Sequence, residues 1–325
     1  MFQLKRLSNV LVLAAFVALI SAISVSAQRL QTPQVSQKAS VMQRIGLSEV
    51  SVIYSRPAIK GRKVYGDWPT PVAGEATLDN QNVRPKDAPL VPWGHVWRAG
   101  ANEATVFSIT DDVLINGQPL AAGRYELAAI PTKEGDWTII FNKDADQWGA
   151  FGYDAGKDVL RVKTKPQWTN DSSELLTFTI DGVTEDSAAV TLRWDKAAVP
   201  FTVKVPDVTA KSIAHLRTIV ANAKPDDWQT PMNAAGYARN AKDMETASKW
   251  IDQSLAAIDT VIAAKPNFAN LSRRASILFA AGRTQDAIAA GEKALTVGKA
   301  DSSVKPADIA ALEKRIADAK AAPKP

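Results

Sequence analysis

The chain has 325 residues, a formal charge of +5 at pH 7 and no cysteine. This length predicts two domains, and the lack of cysteine excludes disulfides, thiol catalysis and cysteine metal sites. The charge is close to balance, and nucleic-acid binding would need a clustered basic face, so no nucleic-acid partner is predicted. The two histidines, His95 and His215, lie too far apart for a paired metal motif, and no phosphate-binding glycine loop is present. Neither a metal nor a cofactor is therefore predicted.

The N-terminus has the pattern of a secretory signal peptide. Two basic residues precede an apolar run at 11–20, and small residues lead to Ala27. The apolar run is short for a bilayer span, so no membrane span is expected after cleavage. We therefore expect a signal peptide at 1–27 with cleavage after Ala27, a flexible leader at 28–38, and a periplasmic or secreted protein.

Residues 39–205 carry short runs rich in β-branched and aromatic residues. Turn signals recur every roughly 8–12 residues, which favours an antiparallel sandwich or barrel over alternating strands and helices. Strands are predicted at 40–44, 49–54, 104–110, 113–115, 123–130, 137–141, 159–164, 175–180, 188–194 and 201–205.

Composition changes after Pro206, where alanine becomes frequent and apolar residues recur at helical spacing. One helix is predicted at 243–264. A second begins after the cap residue Asn267 and ends at Gly282, and Thr284 is predicted to cap the next helix.

The residues around 281–295 resemble the end of a tetratricopeptide repeat, with AG at 281–282, AI at 287–288 and KAL at 293–295. About two such units are visible, fewer than the roughly three that an independent solenoid needs, so we expect the helices to dock on the β domain. The predicted fold class is therefore mainly β plus α. An antiparallel β-sandwich or barrel-like domain at 39–205 precedes a small helical-hairpin, tetratricopeptide-like domain at 206–322, which could bind a protein partner, and a disordered tail at 323–325.

Two loops combine charged side chains, aromatic rings and glycines, a composition typical of ligand sites carried on loops. The first reads PWGHVWRAGANEAT at 92–105, and the second reads NKDADQWGAFGYDAG at 142–156. Trp148 lies in a glycine-containing part of the second loop and could stack on a sugar.

The acids of these loops allow two interpretations. Glu103 with a second carboxylate could act as the acid or base of a glycan hydrolase. Structural ion pairs of Glu103 with Arg98, and of Asp158 with Arg161, are the favoured interpretation, because such pairs often set the shape of a domain.

Three motifs, taken in order, resemble the bacterial family catalogued as domain of unknown function 2911. They are SRP at 55–57 with KGR at 60–62, WRAGANEAT at 97–105, and FNK at 141–143 followed by QWG at 147–149, Tyr153 and DVLR at 158–161. The resemblance covers about residues 37–205. It implies an exported bacterial protein, often with a helical tail, and it implies no activity. The segment at 67–89 is longer than the resemblance leads us to expect.

The motif residues define a predicted ligand site at one end of the sandwich. Its members are Arg56, Lys60, Arg62, Arg98, Asn102, Glu103, Trp148, Tyr153, Asp158 and Arg161. We expect a non-enzymatic binding protein whose pocket takes a small anion, a sugar or a peptide. A glycan hydrolase using Glu103 and a purely structural protein with a buried polar network remain the alternatives.

Overall fold

The computed structural model describes residues 32–78 and 84–322. The predicted signal peptide, the start of the predicted leader and the predicted tail at 323–325 lie outside the described residues. Within the described part of the chain, strands come first and helices follow, as the predicted fold class requires. No helix in those two ranges is long and apolar enough to cross a bilayer.

Two antiparallel sheets make up the strand region. The strands are β1 (Lys38–Ile45), β2 (Ser48–Ser55), β3 (Tyr65–Gly66), β4 (Val91–Pro92), β5 (Val106–Ile109), β6 (Val113–Ile115), β7 (Gln118–Leu120), β8 (Gly123–Ile130), β9 (Trp137–Asn142), β10 (Asp158–Thr164), β11 (Gln167–Asp181) and β12 (Ser187–Lys204). One sheet has the order β1-β2-β5-β8-β9-β10, and the other has the order β11-β12-β6-β7. The short pair β3 and β4 is parallel.

The two sheets share one hydrophobic core. Phe107 and Phe141 of the six-stranded sheet meet Phe201 of the four-stranded sheet, with ring centroids 5.9 and 5.7 Å apart. Trp137 and Trp194 are fully buried in the same core. Burying one such ring contributes on the order of 2 kcal/mol, so the aromatic contacts hold the sandwich closed.

The predicted strands at 188–194 and 201–205 are one continuous strand, β12. Two polar residues after Trp194 and a proline at 200 lie between the two predicted strands. The ladder instead shifts register opposite Asp195, whose φ is 50°, and the alternation of buried residues then resumes with Ala197 and Val199. Buried residues therefore continue on both sides of the irregularity at Asp195.

Six helices follow the strands in the described residues. They are α1 (Val208–Ala221), α2 (Gln229–Asn240), α3 (Met244–Ala264), α4 (Phe268–Ala280), α5 (Thr284–Ala300) and α6 (Pro306–Ala321). Asp243 and Asn267 cap α3 and α4 by accepting from the backbone N–H three residues ahead, at 3.0 and 2.9 Å. The prediction that Thr284 caps α5 is wrong, because Thr284 is the first helical residue and Arg283 holds the cap position without a side-chain bond.

The helices start directly on the sandwich. Gly46 forms the turn between β1 and β2 with a φ of 58°, and a Cβ there would lie 2.7 Å from a methyl group of Val208, the first residue of α1. Val208 itself belongs to the core of the sandwich. A side chain at Gly46 would therefore strain the turn and push α1 away from the sheet.

Candidate functional site

One row of residues crosses the outer face of the six-stranded sheet and connects the predicted motifs. In register, Ile53 pairs with Val106, Val106 with Glu126, Glu126 with Asn142, and Asn142 with Asp158. The chain neighbours of Glu126 belong to the sandwich core, so Glu126 points to the opposite face. A carboxylate thus lies in the middle of the sheet, away from the main core.

Two loops cover the part of this row that runs from Glu126 to Asp158. We call residues 98–104 loop A and residues 143–157 loop B. Loop A leaves the sheet after Trp97, which pairs with Ala129 of β8, and returns before Thr105. Two backbone hydrogen bonds join the loops, from Ala104 N to Gln147 O at 3.0 Å and from Gly149 N to Asn102 O at 2.8 Å. The second and third motifs therefore form one cover over the sheet.

Beside this cover, on the side of β1 and β2, lies a cavity of about 290 Å³, here called the open pocket. Its lining residues are Lys38, Ile53, Tyr54, Ser55, Glu103, Ala104, Val106, Arg124, Ala145, Asp146, Gln147 and Trp148. The volume is at the lower end of the range of about 300–1,000 Å³ for small-molecule sites. The open pocket is thus large enough for one small polar ligand.

The four charged side chains of the open pocket form two ion pairs. Lys38 Nζ lies 3.1 Å from Glu103 Oε1, and Arg124 lies 3.0 Å from Asp146 Oδ1. Burial by itself would raise the pKa of Glu103. Its backbone N–H, Lys38 and the hydroxyl of Ser55 outweigh burial and hold that pKa below its ordinary value. Glu103 therefore stays ionised near neutral pH, and the four charges cancel.

Trp148 lies at the mouth of the open pocket with 50% of its surface exposed. A bridge between its backbone and that of Glu103 holds loop B against loop A at this point. Phe151 of the same loop is equally exposed, at 51%, but does not line the pocket. An indole ring beside several hydrogen-bonding groups can stack on the flat face of a small ligand.

Glu126 is the most buried charged residue next to the open pocket, with no exposed surface. Gln147 Nε2 donates to Glu126 Oε2 at 2.7 Å, while Glu126 Oε1 has no hydrogen-bond partner among the described residues. The pKa of Glu126 is raised to about 7, chiefly by burial; the charges of Asp144 and Asp158 also raise it, while the hydrogen bond from Gln147 and the charge of Arg98 lower it. Because Gln147 also lines the open pocket, it connects the pocket with the buried acid.

Asp158 is the centre of a closed set of polar contacts, here called the Asp158 network. Its oxygens accept from Asn142 Nδ2 at 2.7 Å, from the Tyr153 hydroxyl at 2.8 Å and from Arg161 Nε at 2.7 Å. Arg161 also pairs with Glu75 at 2.8 Å. Burial and the bond to Asp158 raise the pKa of Tyr153, so its hydroxyl remains a donor. The expected ion pair between Asp158 and Arg161 is present.

The other expected ion pair, between Glu103 and Arg98, is replaced by the pair of Glu103 with Lys38. Arg98 instead acts on Glu126, whose pKa its charge lowers. Asn102 has a φ of 58° and donates from Nδ2 to the carbonyl of Ser36 at 2.8 Å. Asn102 therefore ties the segment before β1 to loop A.

The segment at 56–64 between β2 and β3, here called the basic loop, lines none of the open pocket. Arg56 donates to the carbonyl of Leu176 at 2.9 Å and to the Thr177 hydroxyl at 2.6 Å, both in β11. Arg62 donates to carbonyl groups of its own loop, and Lys60 is exposed and lines none of the open pocket. The structure thus does not bring these three cations together with Glu103 and Trp148, because their hydrogen bonds direct them to β11 and to their own turn.

Several polar residues of the site were missing from the predicted set, among them Lys38, Arg124, Glu126, Asp146 and Gln147. Glu126 carries a usable signal, since it is the only acid of β8 and the four residues that follow it in the strand are all apolar. Lys38 and Arg124 had no such signal, because they reach the open pocket only through strand pairing. Within residues 32–78 and 84–322, no group of three or more His, Asp or Glu residues is arranged to hold a metal ion.

Comparison with known families adds one finding. The family model described as Protein of unknown function (DUF2911) matches residues 36–203. This range contains both loops, the open pocket and all twelve strands except the last residue of β12. It ends before the helices, so the tetratricopeptide resemblance remains a prediction. No curated protein and no solved structure matches the chain.

Proposed function

Because the chain belongs to the DUF2911 family of proteins of unknown function, we propose a function from its own geometry: it binds a small neutral saccharide in the open pocket. The observation that carries the proposal is the combination of a half-exposed Trp148 with four cancelling charges around one small cavity. We also propose that the protein is exported, as its N-terminal residues suggest.

The charge balance selects the class of ligand. Lys38 and Arg124 are each occupied by a carboxylate, so no net positive charge is left for an anion. The same four side chains provide both donors and acceptors within one cavity. A sugar presents hydroxyl groups that act as both, whereas a phosphate or carboxylate ligand would leave Glu103 and Asp146 facing an anion.

Glycan hydrolysis is less well supported than binding. A carboxylic acid that protonates a leaving group near neutral pH needs a raised pKa. The pKa of Glu103 is lowered, and its oxygens are bound to Lys38 and Ser55. Glu103 is therefore equipped to accept hydrogen bonds from a ligand and not to deliver a proton to it.

The purely structural alternative fits the Asp158 network but not the open pocket. Asp158 is 8% exposed and its partners are bound within the protein. The side chain of Glu103 is 41% exposed beside a cavity. We propose that the motif residues divide into a supporting part and a binding part, and that the helices offer a surface to a protein partner.

Thermal-shift measurements with matched sugars test the proposal, because a ligand that binds only the folded state raises the melting midpoint. Glucose and N-acetylglucosamine are neutral, glucosamine is cationic and glucuronate is anionic, at nearly the same size. We expect the neutral sugars to raise the midpoint of the wild-type protein most. The shift should disappear in Trp148→Ala and persist in Phe151→Ala, which removes an equally exposed ring from the same loop. A preference for glucuronate, or equal loss in both variants, would contradict the proposal.

A further inference from the structure

We propose that Glu126 is a positioning residue for the open pocket, and that its charge acts on the bound ligand through Gln147. This inference rests on the proposed saccharide binding and adds a residue that touches no ligand. Glu126 has no exposed surface and does not line the cavity. Gln147 touches both, because it lines the cavity and donates to Glu126 at 2.7 Å.

The contact between the two side chains depends on which one donates. Ionised Glu126 has only acceptors, and it takes a hydrogen from Gln147 Nε2. Protonated Glu126 carries a hydroxyl on one of its two oxygens. A proton on Oε2 needs an acceptor where Gln147 now presents a donor, so the Gln147 amide must turn over. A proton on Oε1, which has no partner among the described residues, leaves Gln147 donating a weaker hydrogen bond to a neutral carboxyl group. Either change alters a side chain in the wall of the open pocket.

Gln147 also holds the backbone that shapes the pocket. Its carbonyl accepts from Ala104 N at 3.0 Å, which joins loop B to loop A. The next residue, Trp148, bridges to Glu103. A change in the Gln147 side chain therefore acts next to the backbone that carries the indole ring and the carboxylate proposed to contact the sugar.

The groups around Glu126 place its titration close to neutral pH. Burial raises its pKa to about 7, in concert with Asp144 from loop B and Asp158 from β10, while Gln147 and Arg98 lower it. The neighbouring positions on β5 and β9 are Val106 and Asn142, neither of which titrates. Glu126 is thus ionised on the alkaline side and neutral on the acidic side of a narrow range.

The test compares the pH dependence of N-acetylglucosamine binding in the wild-type protein and in Glu126→Gln, by NMR titration. We expect wild-type affinity to fall about tenfold as the pH drops through about 7, since a charge-assisted hydrogen bond becomes a neutral one. The variant should have a flat profile over the same range. Glu134→Gln, which changes an exposed acid in the turn between β8 and β9, should keep the wild-type profile.

The side-chain amide signals of Gln147, followed by ¹⁵N NMR, give a readout without any sugar. We expect them to move as the pH passes through about 7 in the wild-type protein and to be unaffected by pH in Glu126→Gln. Sugar binding with parallel pH profiles in both proteins would overturn the positioning role while leaving the proposed function intact. Absence of sugar binding together with pH-dependent Gln147 signals only in the wild type would overturn the function and support the positioning role.

Discussion

The open pocket and the Asp158 network lie on the same row of the same sheet, yet they use their charges in opposite ways. In the network, one buried carboxylate is bound by Asn142, Tyr153 and Arg161. In the open pocket, Glu103 and Asp146 are paired but remain 41% and 78% exposed. Polar groups that satisfy one another under a cover stabilise a shape, whereas polar groups left accessible beside a ring can exchange partners with a ligand.

The difference should be clearest when each region loses a carboxylate. Asp158→Ala leaves three donors without their acceptor, and we expect a loss of about 4 kcal/mol in the free energy of unfolding. Asp146→Ala is the matched control, because it also removes an aspartate paired with an arginine, and it should cost less than about 1 kcal/mol. Denaturant titration measures both. Similar losses in the two variants would remove the distinction between the regions.

Glu126 lies between the two regions, and its titration should make the stability of the protein depend on pH. Its pKa is raised from 4.5 to about 7, so the folded state holds the proton more tightly than the unfolded state. The resulting contribution to stability is present below about pH 4.5 and is lost as the pH rises through about 7, by on the order of 3 kcal/mol. We expect Glu126→Gln to remove this dependence in denaturant titrations at about pH 5 and pH 8. A parallel decline in both proteins would show that Glu126 does not titrate as described.

Replacement of Trp148 tests the role of the open pocket in this comparison. Truncation of a central aromatic anchor costs on the order of 2 kcal/mol of binding, or about thirtyfold in affinity. Because half of the ring is already exposed, we expect Trp148→Ala to change stability by less than about 1 kcal/mol. Calorimetric titration with glucose, beside a denaturant titration, separates the two effects. A large loss of stability with unchanged binding would assign Trp148 to the supporting part.

The smallest expected effect concerns Lys38. Its ion pair with Glu103 is exposed on both sides, so Lys38→Ala should reduce stability by about 0.5 kcal/mol at most. The same change removes a cause of the lowered pKa of Glu103, which should move upward toward its ordinary value. NMR titration of the Glu103 carboxyl carbon measures this movement. An unchanged pKa would mean that the backbone N–H and Ser55 suffice to hold the charge.

Much of the sandwich could be predicted because its strands alternate or are bounded by clear turns. The run GRYELAAI became β8 within its predicted limits of 123–130. The short strand β7 was missed, since Gln118 and Pro119 give no β signal and the strand exists through pairing with β6. The cap at Asn267 was predicted correctly, whereas Asp243, predicted as the first residue of a helix, is its cap. The prediction failed at Thr284, where the chain enters the helix one residue earlier.

Only the part of the site that lies on loops A and B could be predicted from the sequence. Glu103 and Trp148 belong to separate motifs, and the structure brings them side by side. Strand pairing across the sheet adds Lys38 and Arg124 to the site. The local sequence does not predict which strands pair, so it could not predict these two residues. The three cations of the basic loop were grouped with the site because charge alone does not tell where a guanidinium will find its acceptors.

The most direct test of the account observes the Trp148 indole itself. Two-dimensional NMR of the ¹⁵N-labelled protein resolves indole N–H signals, and Trp148→Phe identifies the one of interest. On addition of N-acetylglucosamine, we expect the Trp148 signal to shift in a saturable manner while the signal of the fully buried Trp137 stays in place. A saturable shift elsewhere with Trp148 unmoved, or no shift at any sugar concentration, would contradict saccharide binding in the open pocket.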